Sequence, residues 1–68
     1  MAIYRFNRYA AGCYDVTLLL GLHVRIGSVK QMDGKWWAIT PAGGADGPHS
    51  KRQRAAEALL AAYHRSQA

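Results

Sequence analysis

His23 to Thr40, HVRIGSVKQMDGKWWAIT, is the stretch whose reading decides the fold. Two runs rich in β-branched and aromatic residues flank Asp33-Gly34, and that dipeptide favours the positive φ that both central positions of a type I′ hairpin require. The hairpin is expected to run from about His23 to Met32, turn at Asp33-Gly34, and return over Lys35 to Thr40. Alternation along the second arm puts Trp36, Ala38 and Thr40 on one face and Trp37 and Ile39 on the other.

Working outward toward the N-terminus, residues 3–9, IYRFNRY, read as a strand with Tyr4 and Phe6 on one face and Ile3 and Tyr9 on the other. Arg5 and Arg8 fall on opposite faces. Ala10-Ala11-Gly12 forms a short connection in which Gly12 can take a left-handed conformation. Residues 14–20, YDVTLLL, follow. Tyr, Val and Thr favour a strand there, with a short helix capped by Asp15 as the rival, because the three leucines suit either. Gly21 is a turn, with a kink in one long strand as the alternative.

Toward the C-terminus, residues 41–49, PAGGADGPH, carry two prolines and three glycines and read as a loop. A helix is expected from about Lys51 to Ser66, opened by a Ser50–Gln53 capping box. It carries Ala56, Leu59, Leu60 and Tyr63 on one stripe, with Arg54, Glu57, Ala58, Ala61 and Arg65 opposite. The sum is an α+β single domain, residues 1–68: a three- or four-stranded antiparallel β-meander (about 3–40), a loop (41–49) and one C-terminal α-helix lying on the sheet.

Sixty-eight residues leave room for one sheet layer and one helix layer but not for a deep substrate cleft. Nine Lys or Arg against four Asp or Glu give a net charge of +5, which suits an acidic partner. Cys13 is the lone cysteine, so an intramolecular disulfide is excluded. The apolar run Val16 to Val24 is shorter than the roughly 20 residues of a transmembrane helix, and the N-terminus lacks a signal-peptide core. A cytoplasmic protein with no membrane partner is expected.

Catalysis has little to stand on. Asp15, Asp33, Asp46 and Glu57 have no spacing that pairs two of them for acid–base work. Cys13 with His23 is the one thinkable nucleophile and base, and a half-buried cysteine beside a strand-end histidine is the plainer reading. His23, His49, His64 and Cys13 lack metal-ligand spacing, and AGGADG lacks the GK[ST] ending of a phosphate loop. No enzyme activity, metal or cofactor is expected.

Binding has more. Lys51, Arg52 and Arg54 crowd the start of the helix, where cations oppose the macrodipole but where free backbone N–H groups suit phosphate. The hairpin adds His23, Arg25, Lys30 and Lys35 around a tryptophan, a mixture that fits a surface tracking a nucleic-acid backbone. Tyr4, Tyr9 and Tyr14 extend an aromatic face beside Trp37, which would equally suit a protein partner.

Gly27-Ser28-Val29-Lys30, Asp33-Gly34-Lys35-Trp36-Trp37-Ala38, Ser50-Lys51-Arg52 and Ala55-Ala56-Glu57-Ala58-Leu59-Leu60 together resemble the arm-site DNA-binding domain of phage and transposon tyrosine integrases. The resemblance covers residues 27–60. It implies a three-stranded sheet backed by one helix, with the sheet entering the DNA major groove. By that resemblance Arg25, Lys30, Lys35 and Trp37 face DNA, and Lys51 and Arg52 touch phosphate. The chain departs from the family pattern at Ile39, where a basic or polar residue usually alternates with the aromatic. More broadly it resembles small accessory proteins of phages and mobile elements. The expectation is therefore a nucleic-acid-binding protein, DNA first, using Arg25, Lys30, Lys35, Trp37, Lys51, Arg52 and Arg54. The alternative is an inhibitor or adaptor, of the kind anti-CRISPR proteins represent, that meets a nucleic-acid-handling host protein through the aromatic face. Pairing of two copies as a homodimer through an exposed edge strand or the sheet face is a third way for the chain to associate.

Overall fold

A computed structural model of the chain describes residues 3–19, 21 and 23–67. Five strands form one antiparallel sheet in the order of the sequence: β1 (Tyr4–Ala10), β2 (Cys13–Leu18), β3 (Val24–Met32), β4 (Lys35–Ile39) and β5 (Ala45–His49). One helix, α1 (Arg52–Gln67), follows and packs on β3, β4 and β5.

The Asp33-Gly34 turn forms as its sequence dictates. Both residues have positive φ, 54° and 74°, and Met32 pairs with Lys35 directly across it. Gly12 takes φ 70° between β1 and β2, and its carbonyl accepts a hydrogen bond of 2.8 Å from the Gln31 amide, tying this turn to β3. Residues 13–18 are strand, which settles the strand-or-helix alternative for that segment. Gly21 has φ 67°, in the region a turn needs, while Leu20 and Leu22 lie outside the described residues.

The loop expected over 41–49 is a correction. Its first part is a tight turn, in which Thr40 accepts from the Gly43 amide at 2.9 Å and donates its own amide to the Gly44 carbonyl at 2.8 Å. Its second part is β5, which pairs with β4 through Trp36–His49, Ala38–Asp46 and Ile39–Ala45. Proline and glycine hid this strand because they normally disrupt a ladder. At a sheet edge beside a bulge, Pro48 needs no ladder N–H. Gly47 leaves the space that the Trp37 ring uses, since a Cβ there would lie 3.1 Å from Trp37 Cε3.

The core lies between α1 and one sheet face. Val16, Leu18, Ile26, Val29, Ala38, Ala55, Ala56 and Leu59 are buried. Leu59 and Ala56 come from the expected helical stripe, and Leu60 and Tyr63 pack partly against the same cluster. Ala58, placed by periodicity on the polar side, is half-buried there too. Alanines at the contact let the helix approach the strands closely. The tightest approach is at Gly27, φ 147°, where a Cβ would sit 2.5 Å from the Ile39 carbonyl oxygen and 2.7 Å from Leu59 Cδ2. Gly27 adjoins a bulge in which Ile26 is the additional residue: Val16 pairs with Gly27, and Thr17 pairs with Arg25.

The helix start is a second correction. The Lys51 carbonyl accepts from the Arg54 and Ala55 amides at 3.1 and 3.3 Å, so Lys51 holds the cap position and Ser50 stands outside the first turn. The Ser50–Gln53 spacing is therefore not a capping box. Arg52 at the first helical position instead lies on the aromatic rings of β1 and β2.

Candidate nucleic-acid interface

The strand register sorts every side chain onto one of two faces. Tyr4, Phe6, Tyr14, Val16, Leu18, Val29, Trp36 and Ala38 share the helix-covered face through the pairs Tyr4–Leu18, Phe6–Val16, Tyr14–Val29 and Val29–Ala38. The uncovered face carries the cross-strand rows Arg5–Thr17–Arg25, Asn7–Asp15–Ser28–Ile39 and Cys13–Lys30–Trp37, with Met32–Lys35 next to the hairpin tip. Arg25, Lys30, Lys35 and Trp37 therefore stand on one surface. The three cations are exposed, and Trp37 is half-buried between Lys30 and Gly47.

Arg5 belongs to the same surface and was missed by sequence reasoning, which gave β1 no part in the basic face. The signal was present: the short Ala11-Gly12 turn fixes the β1–β2 register and brings Arg5 opposite Thr17. Asp15 is the one carboxylate in these rows, and Arg25 Nε donates to its Oδ1 at 2.9 Å. Both side chains keep substantial exposure, 53% for Arg25 and 32% for Asp15, so the pair contributes at most about 1 kcal/mol. Asp15→Asn is accordingly expected to leave thermal stability nearly unchanged, within about 1 kcal/mol, while releasing the Arg25 guanidinium from its partner. Thermal melts of the two proteins check that expectation.

Lys51, Arg52 and Arg54 do not join this surface: they lie on the helix layer, on the other side of the sheet, so the seven expected residues fall on two surfaces. Arg52 is already engaged: its guanidinium carbon lies 4.2 Å from the Phe6 ring centroid and 4.8 Å from that of Tyr14. Those rings belong to a row, Tyr4, Phe6, Tyr14 and Trp36, with successive centroids 5.7, 6.1 and 5.9 Å apart. The helix does not reach over β1, and Arg52 shields this row instead. Arg52→Ala should therefore lower unfolding free energy by about 1–2 kcal/mol, measurable by urea denaturation, through loss of two cation–π contacts and of its stem packing. Arg54 Nη1 lies 3.7 Å from Glu57 Oε1 on the exposed helix face.

The aromatic protein-binding face is also redrawn. Tyr4 and Tyr14 are on the helix side, Tyr9 is exposed at the β1 bulge, and Trp37 is on the opposite face, so the four do not form one patch. Cys13 and His23 sit at opposite ends of the β2–β3 pair, since Cys13 faces Lys30 while Leu18 faces Val24. At about 3.3 Å per residue this separates them by more than 15 Å, too far for a nucleophile and its base. His49 Nε2 donates to Asp46 Oδ2 at 2.8 Å, a local contact that braces β5. Among the described residues no group of three His, Cys, Asp or Glu side chains gathers to hold a metal ion, and no helix is long and apolar enough to cross a membrane.

Comparison with protein-family models, with curated proteins and with solved structures found no match to this chain.

Proposed function

We propose that the protein is a nucleic-acid-binding module of phage or mobile-element type that lays its uncovered sheet face on duplex DNA. The observation that carries this reading is the charge of that face: Arg5, Arg25, Lys30 and Lys35 stand there against one carboxylate, Asp15, with Trp37 between Lys30 and the β5 edge. A cationic surface of this kind gains affinity by releasing counterions from phosphate, a term that needs no particular sequence. The resemblance of residues 27–60 to integrase arm-site domains supports the same use of the sheet.

Phosphate contacts would come from the lysines and arginines, and the rim of Trp37 offers an apolar surface for sugar or base edges. Titration of labelled duplex DNA at several salt concentrations tests the reading. Binding whose affinity falls steeply with salt is the expected result. No binding at low salt, or an affinity indifferent to salt, overturns it.

A further inference from the structure

We infer that the free edge of β1 is a second binding site, which takes an extended acidic peptide segment as a sixth strand of the sheet. This goes beyond the nucleic-acid reading, shares only Arg5 with the surface that reading uses, and stands or falls separately from it.

The hydrogen-bond phase of β1 identifies the groups on offer. Leu19 donates its amide to the Ile3 carbonyl at 2.8 Å, so Ile3 and Leu19 are a hydrogen-bonded pair of the antiparallel ladder. Such pairs recur at every second residue, which assigns Arg5 with Thr17 and Asn7 with Asp15 to the same class. Tyr4, Phe6 and Arg8 therefore turn their N–H and C=O groups away from β2, toward the open edge. The other edge of the sheet differs. β5 is short, contains Pro48, and is bulged against β4. That edge is blunted against strand addition, whereas β1 has seven residues and no proline.

Beside the β1 edge lies a groove of about 550 Å³ lined by Ile3, Tyr4, Arg5, Phe6, Lys51, Arg52 and Gln53. Tyr4 and Phe6 form an apolar shelf within it. Three of its lining residues are cationic and none is acidic, and the exposed Arg8 continues the same edge. This charge selects the occupant. A second copy of the chain, paired edge to edge, would bring its own Arg5, Arg8 and Lys51 to a surface that has no carboxylate to receive them. An acidic strand meets the same cations favourably and can set alternate apolar side chains on the shelf. The cations that discourage self-pairing therefore favour an acidic partner.

The test uses the full chain and three labelled decapeptides: alternating valine and glutamate, alternating valine and lysine, and the valine–glutamate peptide N-methylated throughout. The expected result is binding of the valine–glutamate peptide only, with loss of at least about tenfold in affinity on N-methylation because the strand's donors are gone. Amide exchange should slow at Tyr4, Phe6 and Arg8 when this peptide is bound. Arg5→Glu should transfer preference to the valine–lysine peptide, because alternation turns the peptide's charged residues to the face opposite its apolar ones, which is the face of Arg5. The triple variant Arg25→Ala/Lys30→Ala/Lys35→Ala should retain peptide binding, whether or not wild-type protein binds DNA. Equal binding of the N-methylated peptide, protection centred on Lys30 and Trp37, or failure of the valine–glutamate peptide to bind overturns the proposal. So does protection of Tyr4, Phe6 and Arg8 by a single-stranded oligonucleotide but not by the peptide, which would make the edge a nucleic-acid site.

Discussion

Gly27→Ala is expected to destabilise the protein by about 3 kcal/mol, lowering the melting temperature by roughly 10–20 °C. Two costs add. The residue has φ 147°, a conformation side chains rarely adopt, and the new methyl would sit 2.5 Å from the Ile39 carbonyl oxygen and 2.7 Å from Leu59 Cδ2. Leu59 could yield by repacking, but the carbonyl belongs to β4 and moves only with the sheet. A chain of this length has a total stability of roughly 3–10 kcal/mol, so the change takes a large share of it.

Gly34→Ala separates the two costs. Gly34 also has positive φ, 74°, but a Cβ there meets no atom within 4 Å. That variant should lose only about 1 kcal/mol. A double variant, Gly27→Ala with Leu59→Ala, should be less damaging than the sum of the singles, by about 1 kcal/mol, because the truncated side chain vacates part of the contested space. Urea or thermal melts of wild type, the three single variants Gly27→Ala, Gly34→Ala and Leu59→Ala, and the double variant decide the matter. A Gly27→Ala protein within 0.5 kcal/mol of wild type, about the effect of a neutral surface change, would mean that helix and bulge do not meet this closely.

The second large effect concerns DNA. Replacing Arg25, Lys30 and Lys35 together by alanine should weaken duplex binding about a hundredfold at low salt, taking roughly 1 kcal/mol per phosphate contact. The slope of log affinity against log salt should become shallower by about 2.7, which is 0.9 for each of three contacts. Loss should be uniform across DNA sequences, since phosphate contacts position the protein without reading bases. Lys51→Ala with Arg54→Ala provides the contrast: these residues lie on the helix layer, so the slope should stay nearly as in wild type. If the helix-start variant instead produces the larger change, the interface is on the helix side and the sheet-face reading fails.

Several of these features were readable from residue order. Asp33-Gly34 specified its own turn because local φ preferences need no tertiary support. Alternation then placed Trp36 and Trp37 on opposite faces, while the β3–β4 register is what puts Lys30 and Lys35 on the Trp37 side. The helical stripe of Ala56 and Leu59 followed from period alone. β5 was not legible, because its pairing depends on an edge position and on the Trp37 ring lying over Gly47, neither of which residue preferences encode. The contact of Arg52 with Phe6 and Tyr14 was not legible for a related reason. A cation at a helix start looks available for phosphate until β1 and β2 bring Phe6 and Tyr14 beneath it.

The sequence by itself determined the antiparallel α+β class, the central hairpin, the single C-terminal helix and the excess of positive charge, because each rests on local preference, period or composition. Only the tertiary structure decided where that charge stands. The register of β1 on β2 and of β2 on β3 gathers Arg5, Arg25, Lys30 and Lys35 on the uncovered face. The packing of α1 on β3–β5 carries Lys51, Arg52 and Arg54 to the other side. Register and layer order are long-range consequences of burying one sheet face, so residues close in charge and even in sequence can finish on opposite sides of the molecule.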